Sequence, residues 1–439
     1  MIEFKYGQKI QIDPGGEATI ISKLGEGGQG IVYKVEFAGK CYALKWYKRN
    51  KIKDVEKFRL NLENNIKDKS VSKNFLWPLY ITKGLQYDSF GYIMDLKPKE
   101  YSDFKDILNA KVTFSSLNAI VNATLNIVTS FRDLHRAGKS YQDLNDGGFF
   151  INTKTGDILI CDCDNVAPYG ENVGIAGKPG YMAPEIVRGE STPNMQTDKF
   201  SLAVILFKLL FRGDPLEGEK VIKSVCLTEE AERKHYGLEP IFVYDPQNTS
   251  NRPVRGVHNN VIKFWKIFPQ YIKEAFITSF TKGINNPDER LIENQWFKYF
   301  VKLRSEIITC NCGFQNFVSG FLSDDDGKIH CLKCNRIYTN PLLLNIKKMP
   351  VVLFPGNKLY ECHTKSLSDD YTTITGEVIQ NKIKKGLFGI KNLSDSTWTA
   401  TLPNGKTLTV GKNSVVPILI DTCINFGNDN EGNIITRDN

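Results

Sequence analysis

Three stretches near the start of the chain carry most of its early apolar residues. "ATIISKL" (18–24), "GIVYKVEF" (30–37) and "KCYALKWY" (40–47) are rich in β-branched and aromatic residues, with glycine-rich breaks between them. That pattern predicts three strands. A helical spacing follows. Residues 54–68 read as a helix opening at Asp54, and Leu117, Ile120, Val121, Leu125, Ile127 and Val128 make a helical stripe. From there the chain reads as mostly helical to about residue 307. Strands first and helices after predict an α+β fold with two unequal lobes. Beyond residue 308 the texture changes again. Residues 310–334 hold a cysteine cluster, and 350–439 are strand-like and turn-rich. In "TWTATLPNGKTLTV" two alternating runs flank Asn404-Gly405, a hairpin signal.

Composition adds limits. The 439 residues correspond to two to four domains, and 41% hydrophobic with 24% charged residues is an ordinary soluble balance. "MIEFKYGQKI" shows no apolar signal core, and "SLAVILF" (201–207) is too short to cross a bilayer and reads as a buried helix. A cytoplasmic protein with no membrane partner is therefore expected. The net charge of +8 is spread along the chain, which argues for a solvated surface rather than a nucleic-acid patch.

"GEGGQGIVYKV" supplies G-x-G-x-x-G at Gly25, Gly27 and Gly30, followed by Val32. Glycines let backbone N–H groups approach phosphates closely. The motif lies between two predicted strands, not between a strand and a helix, which argues against a dinucleotide fold. "YALK" then puts Lys45 on the third predicted strand. In order there follow "YQDL" at 141, "CDCDN" at 161, "GYMAPE" at 180, "TDKFSLAVILF" at 197 and "NNPDER" at 285.

In that order the motifs resemble the protein kinase superfamily over roughly residues 15–305. The resemblance implies a bilobal fold, with a small lobe at about 15–97 and a large lobe at about 98–305. It implies ATP with Mg²⁺ or Mn²⁺, cradled by Gly25, Gly27, Gly30, Val32, Ala43, Asp95 and Phe150. Lys45 would meet the α/β-phosphates and pair with a helix glutamate, for which Glu63 is the candidate and Glu56 the runner-up. Asp143 would serve the acceptor hydroxyl and Asp162 the metal. Asp198 resembles the buried helix aspartate that holds the catalytic loop, and Arg290 the partner of Glu185. His135 is expected as a packing residue. The chain is also similar to bacterial kinase-like proteins found beside tellurite-resistance genes, through "TGDILICDCDNV", "APEIVRGE" and "GLFGIKNLSDSTW". Those join a kinase domain to a Cys-rich segment and a β-rich tail.

The pattern breaks in the loop. Gln142 replaces the catalytic-loop Arg, Asn145 stands where a Ser/Thr kinase has Lys, and Gly148 stands where it has the metal-binding Asn. Asn145, Asp146 and Asp164 offer oxygens in compensation, with Asn145 or Asp164 the expected replacement ligand, although Asp164 and Asn165 also suit a turn. The segment 162–185 contains no Ser or Thr and has Lys178 at the usual Thr position, which suggests that it settles without phosphorylation.

"CNC" (310–312) and "CLKC" (331–334) leave 18 residues between Cys312 and Cys331. This is zinc-ribbon spacing, with Cys310, Cys312, Cys331 and Cys334 as a closed structural Zn²⁺ site. His330 is expected beside the cluster, and Cys161 and Cys163 as packing residues. The organisation expected is a kinase-like domain at 15–305, a zinc ribbon at 306–346 and a small β-sandwich at 350–439. The last could be of the forkhead-associated kind, or a dimerisation module or a docking module for a protein partner. The function expected is Ser/Thr protein phosphorylation by a bacterial-type kinase. A nucleotide-binding pseudokinase scaffold and a small-molecule kinase are the alternatives.

Overall fold

The computed structural model describes residues 3–48, 51–174, 177–223, 228–318, 328–346, 349–427 and 430–437. Their contacts divide the chain into two compact units. The first holds residues up to 115 together with 122–262 and 275–293; the second holds 116–121, 263–274 and 294 onward.

The first unit opens with strands β1 (Lys9–Asp13), β2 (Glu17–Glu26), β3 (Gly30–Phe37) and β4 (Lys40–Tyr47). Helix α1 (Val55–Asp68) follows, then β5 (Tyr80–Thr82) and β6 (Gly91–Met94). The six strands close into a barrel in the order β1-β2-β3-β4-β6-β5. Ile31, Tyr33, Val35, Leu44, Trp46 and Ile93 fill its interior. Because side chains alternate along a strand, Ala43, Lys45 and Tyr47 share the opposite face of β4. The register sets Val32 and Tyr92 on either side of Lys45. Ala43, Tyr47 and Tyr92 pack there with Phe58 and Leu62 of α1. The Asp54 side chain caps α1 by accepting from the Lys57 N–H at 3.0 Å.

The remainder of this unit is built on the helix Leu117–Arg136 from residue 122 onward and on the helix Met195–Phe211. Asn194 and Thr197 cap the second reciprocally, and it is buried nearly all round, as its unbroken apolar run predicts. The mostly helical stretch expected after residue 113 is interrupted by a short hairpin. Strands Phe149–Ile151 and Ile158–Ile160 pair with Ile158 opposite Ile151. They are too short to show a period. The Cys161 N–H donates to the Gly148 carbonyl at 2.9 Å, so the hairpin brings the loop 141–148 alongside 161–165.

In the second unit, two antiparallel sheets share one core. The six-stranded sheet runs Val351–Val352, Leu343–Ile346, Asn430–Ile435, Cys423–Gly427, Trp398–Thr401 and Thr407–Val410. The four-stranded sheet runs Lys358–Tyr360, Ile374–Gln380, Phe388–Asn392 and Val415–Pro417. Leu344, Trp398 and Ile434 of the first meet Leu359, Val378 and Ile390 of the second. The Asn404-Gly405 hairpin is present, with Trp398 paired to Val410 and Gly405 at φ 80°. The turn expected in "NFGNDNEG" falls on residues 428 and 429, which lie outside the described residues.

Candidate active site

The ammonium of Lys45 is buried among carboxylates. Its Nζ lies 2.8 Å from Asp162 Oδ1, and 3.0 and 2.9 Å from the two oxygens of Asp164. Burial alone would pull the Lys45 pKa down; Asp162 and Asp164 outweigh it and hold the pKa well above the usual lysine value. Asp164 is fully buried, and the hydroxyls of Tyr47 and Tyr92 donate to it at 2.6 and 2.9 Å. Asp162 is more open, at 38% side-chain exposure, and its backbone is left-handed at φ 56°. Gln29 of the glycine-rich turn reaches Lys45 at 3.4 Å.

Two sequence expectations are corrected here. Glu63 is not the partner of Lys45: it pairs with Arg59 at 3.0 Å, and Glu56 is exposed. At 100° per residue Glu63 lies about 200° around α1 from Asn61, off the buried face of Phe58, Asn61, Leu62 and Asn65. Asn61 and Asn65 instead donate to the Val166 carbonyl at 2.8 and 2.7 Å. Nor does Asp164 present spare oxygens to a metal, since Lys45, Tyr47 and Tyr92 engage both.

The loop "YQDLNDGG" is held from below. Asp198 accepts from the N–H groups of Tyr141 and Gln142 at 2.6 and 3.1 Å. His135 sits between Asp198, at 3.1 Å, and Glu293, at 2.8 Å. It is thus part of a buried ionic cluster rather than a plain packing residue, and its two acidic partners lie far off in sequence. The Asp143 carboxyl is raised above its usual pKa by burial and by the Asp162 charge, against a hydrogen bond from Asn145. That bond, 2.9 Å from Asn145 Nδ2 to Asp143 Oδ1, orients Asp143. The Asn145 carbonyl oxygen accepts from the Gly147 N–H at 2.9 Å, so its amide is committed within the loop.

Gln142, also left-handed at φ 71°, donates to the Glu171 carbonyl at 2.5 Å and accepts from the Val173 N–H at 3.4 Å. A neutral amide thus ties down the start of the segment between Asp162 and Glu185. Lys178 Nζ reaches Asp146 of the loop at 2.6 Å. Residues 175 and 176 of that segment lie outside the described residues. Arg290 and Glu185 make a two-pronged ion pair, 2.8 Å at each prong.

Beside Lys45, Val32, Ala43 and Phe150 belong to one apolar cluster with Met94, Leu96 and Cys161. Asp95 stands apart, paired with Lys40 at 3.0 Å on the exposed edge. Added Cβ atoms at Gly25 and Gly27 would meet nothing, whereas one at Gly30 would run into the Trp46 carbonyl. The first two glycines therefore leave the backbone bare over the cleft, and the third permits close strand approach.

In the second unit, the Sγ atoms of Cys310, Cys312, Cys331 and Cys334 all lie within 4.8 Å of one another. The Cys310–Cys334 and Cys312–Cys331 separations are 3.5 and 3.7 Å. Tetrahedral Zn²⁺ with bonds of about 2.3 Å sets sulfurs about 3.8 Å apart, so the donor set fits a structural zinc. Asn316 supports one knuckle, accepting from the Leu332 N–H at 3.1 Å.

A barrel with a glycine turn, a strand lysine on an aspartate, and a loop aspartate beside it together define a cleft of the protein-kinase kind. The protein kinase domain family matches residues 18–266, more than half of the chain, and the chain belongs to that family. It is similar to G protein-coupled receptor kinase 2 of Caenorhabditis elegans, 27% identical over 230 residues, covering 49% of this chain and 32% of that protein. It is 28% identical to beta-adrenergic receptor kinase 1 of Homo sapiens over 207 residues, 45% of this chain and 29% of the other. With the Zea mays protein named "Probable serine/threonine-protein kinase CCRP1" it shares 31% over 102 residues, 22% and 16% of the two chains. The matched stretches thus span a third or less of these relatives. Among the described residues, no helix is long and apolar enough to cross a membrane.

Proposed function

We propose that the protein transfers the γ-phosphoryl group of ATP to Ser or Thr side chains of a protein. The observation that carries this is the convergence of Lys45 on Asp162, with Asp143 held beside them by Asn145. Lys45 would meet the α/β-phosphates under the bare backbone of Gly25 and Gly27, with Val32, Ala43 and Phe150 against the base and Asp95 at the rim. Asp162 would hold Mg²⁺ or Mn²⁺, which neutralises phosphate charge when bound. Asp143 would orient the acceptor hydroxyl and take its proton, and its raised pKa makes it a better base. Gly148 offers no second metal ligand, so slow turnover is expected.

The bacterial-type assignment rests on the segments quoted above, and a cytoplasmic location on the sequence reading. The domains proposed are 15–305 for the kinase, 306–346 for a zinc ribbon holding one Zn²⁺, and 350–439 for a β-sandwich docking a protein partner.

Purified protein with labelled ATP and either metal, followed by mass mapping, tests the transfer. Asp143→Asn should lower the rate roughly 100-fold or more and leave ATP affinity within about twofold, since that residue acts on the acceptor. A wild type that binds ATP but phosphorylates neither itself nor a broad protein mixture would be a scaffold instead.

A further inference from the structure

We propose that Asp164 positions Lys45 in place of a helix glutamate, so that the phosphate-facing ammonium is set by two carboxylates of one short segment and not by α1. This rests on the kinase reading above. Strand alternation puts Lys45 and Tyr47 on one face of β4, and the β4–β6 register sets Tyr92 beside them. All three side chains converge on Asp164, which is fully buried. A carboxylate taken wholly out of water is costly unless its oxygens are bonded. Here an ammonium and two hydroxyls meet that need. The side of α1 that faces the segment after Asp162 offers two amides, Asn61 and Asn65, and both go to the Val166 carbonyl.

The consequence is mechanical. Where a helix supplies the acid, the helix can carry it away and leave the lysine loose. Asp162 and Asp164 are two residues apart. Placing Asp162 for the metal therefore places Lys45 for the phosphates, with no carboxylate drawn from α1. Asp164 is a positioning residue, acting through Lys45 rather than on the nucleotide.

The test compares ATP·Mg²⁺ with adenosine, which has no phosphates for Lys45 to meet. Calorimetry on Asp164→Asn should show ATP·Mg²⁺ binding weakened about tenfold and adenosine binding within about twofold of wild type. Glu63→Gln should leave both unchanged. Equal loss for the two ligands makes Asp164 a mere structural plug. Wild-type ATP affinity in Asp164→Asn, or an equal loss in Glu63→Gln, also overturns the proposal. If Asp164→Asn does not fold, Tyr47→Phe and Tyr92→Phe loosen the same carboxylate. Each should weaken ATP·Mg²⁺ about two- to fivefold with adenosine unaffected, and unchanged affinity in both sinks the idea. If the wild type binds no nucleotide, the kinase reading fails and the clamp is judged alone, by a thermal-unfolding cycle without ligand. Lys45→Met and Asp164→Asn should then be strongly non-additive, and Lys45→Met and Glu63→Gln additive. Additivity of the first pair ends the proposal.

Discussion

A Cβ atom on Gly148 would lie 3.1 Å from the Tyr141 hydroxyl, which itself donates to the Cys161 carbonyl. Positions 141 and 148 are therefore coupled: a side chain at 148 presses on the Tyr141 hydroxyl. Gly148→Asn alone should destabilise the protein by about 1–2 kcal/mol, because the hydroxyl must leave its carbonyl, and should not raise turnover. Tyr141→Phe/Gly148→Asn makes room and should unfold at a higher denaturant concentration than Gly148→Asn alone. The opposite order in chemical denaturation would separate the two positions. Other features at this scale were readable in advance to different degrees. The glycine turn, Lys45, Asp143 and Asp162 lie in short motifs whose order is the signal. The outward placing of Glu63 was also readable, from helix arithmetic on "FRLNLENN". The role of Asp164 was not, because its donors come from strands 117 and 72 residues away in the chain.

Elements were legible where a run was long enough. β2, β3 and β4 run for eight to ten residues rich in β-branched and aromatic side chains and lie where expected. β5, β6 and the hairpin strands Phe149–Ile151 and Ile158–Ile160 have three or four residues, and β6, "GYIM", is buried throughout, so no alternation marks them. The His135 cluster joins the helices Leu117–Arg136 and Met195–Phe211 to Glu293. Burial opposes the imidazolium, but hydrogen bonds to Asp198 and Glu293 prevail and raise its pKa to about 9. A folded-state pKa above the unfolded value of about 6.5 means stability fully present below pH ~6.5 and lost as pH rises through about 9. The effect should amount to a few kcal/mol. Thermal midpoints should fall across that window in the wild type and much less in His135→Gln. Parallel curves would show that His135 stays neutral.

At the scale of the molecule, the fold class was readable because strand-rich, helix-rich and turn-rich stretches follow one another. The limits of the units were less so: residues 294–305 cluster with the second unit rather than the first. In that unit Ile308, Val318, Ile329 and Val352 pack together beside the cysteine cluster. So small an apolar group gives little stability of its own, and metal binding at such sites is folding energy. Elemental analysis should find one Zn²⁺ per chain, and Cys331→Ser should lose it and speed amide exchange across the described parts of 308–345. Metal-free protein with unchanged exchange would rule out a structural zinc.

The paired amides of Asn61 and Asn65 on the Val166 carbonyl bear on inhibitor recognition. A ligand that competes for the cleft by turning residues 162–164 outward must strip three donors from Asp164 and two from Val166 before it gains a contact. Molecules shaped to fill only the slot lined by Val32, Ala43 and Phe150 meet no such toll. Selectivity among inhibitors is thereby set on the side of the cleft away from the inhibitor's own contacts.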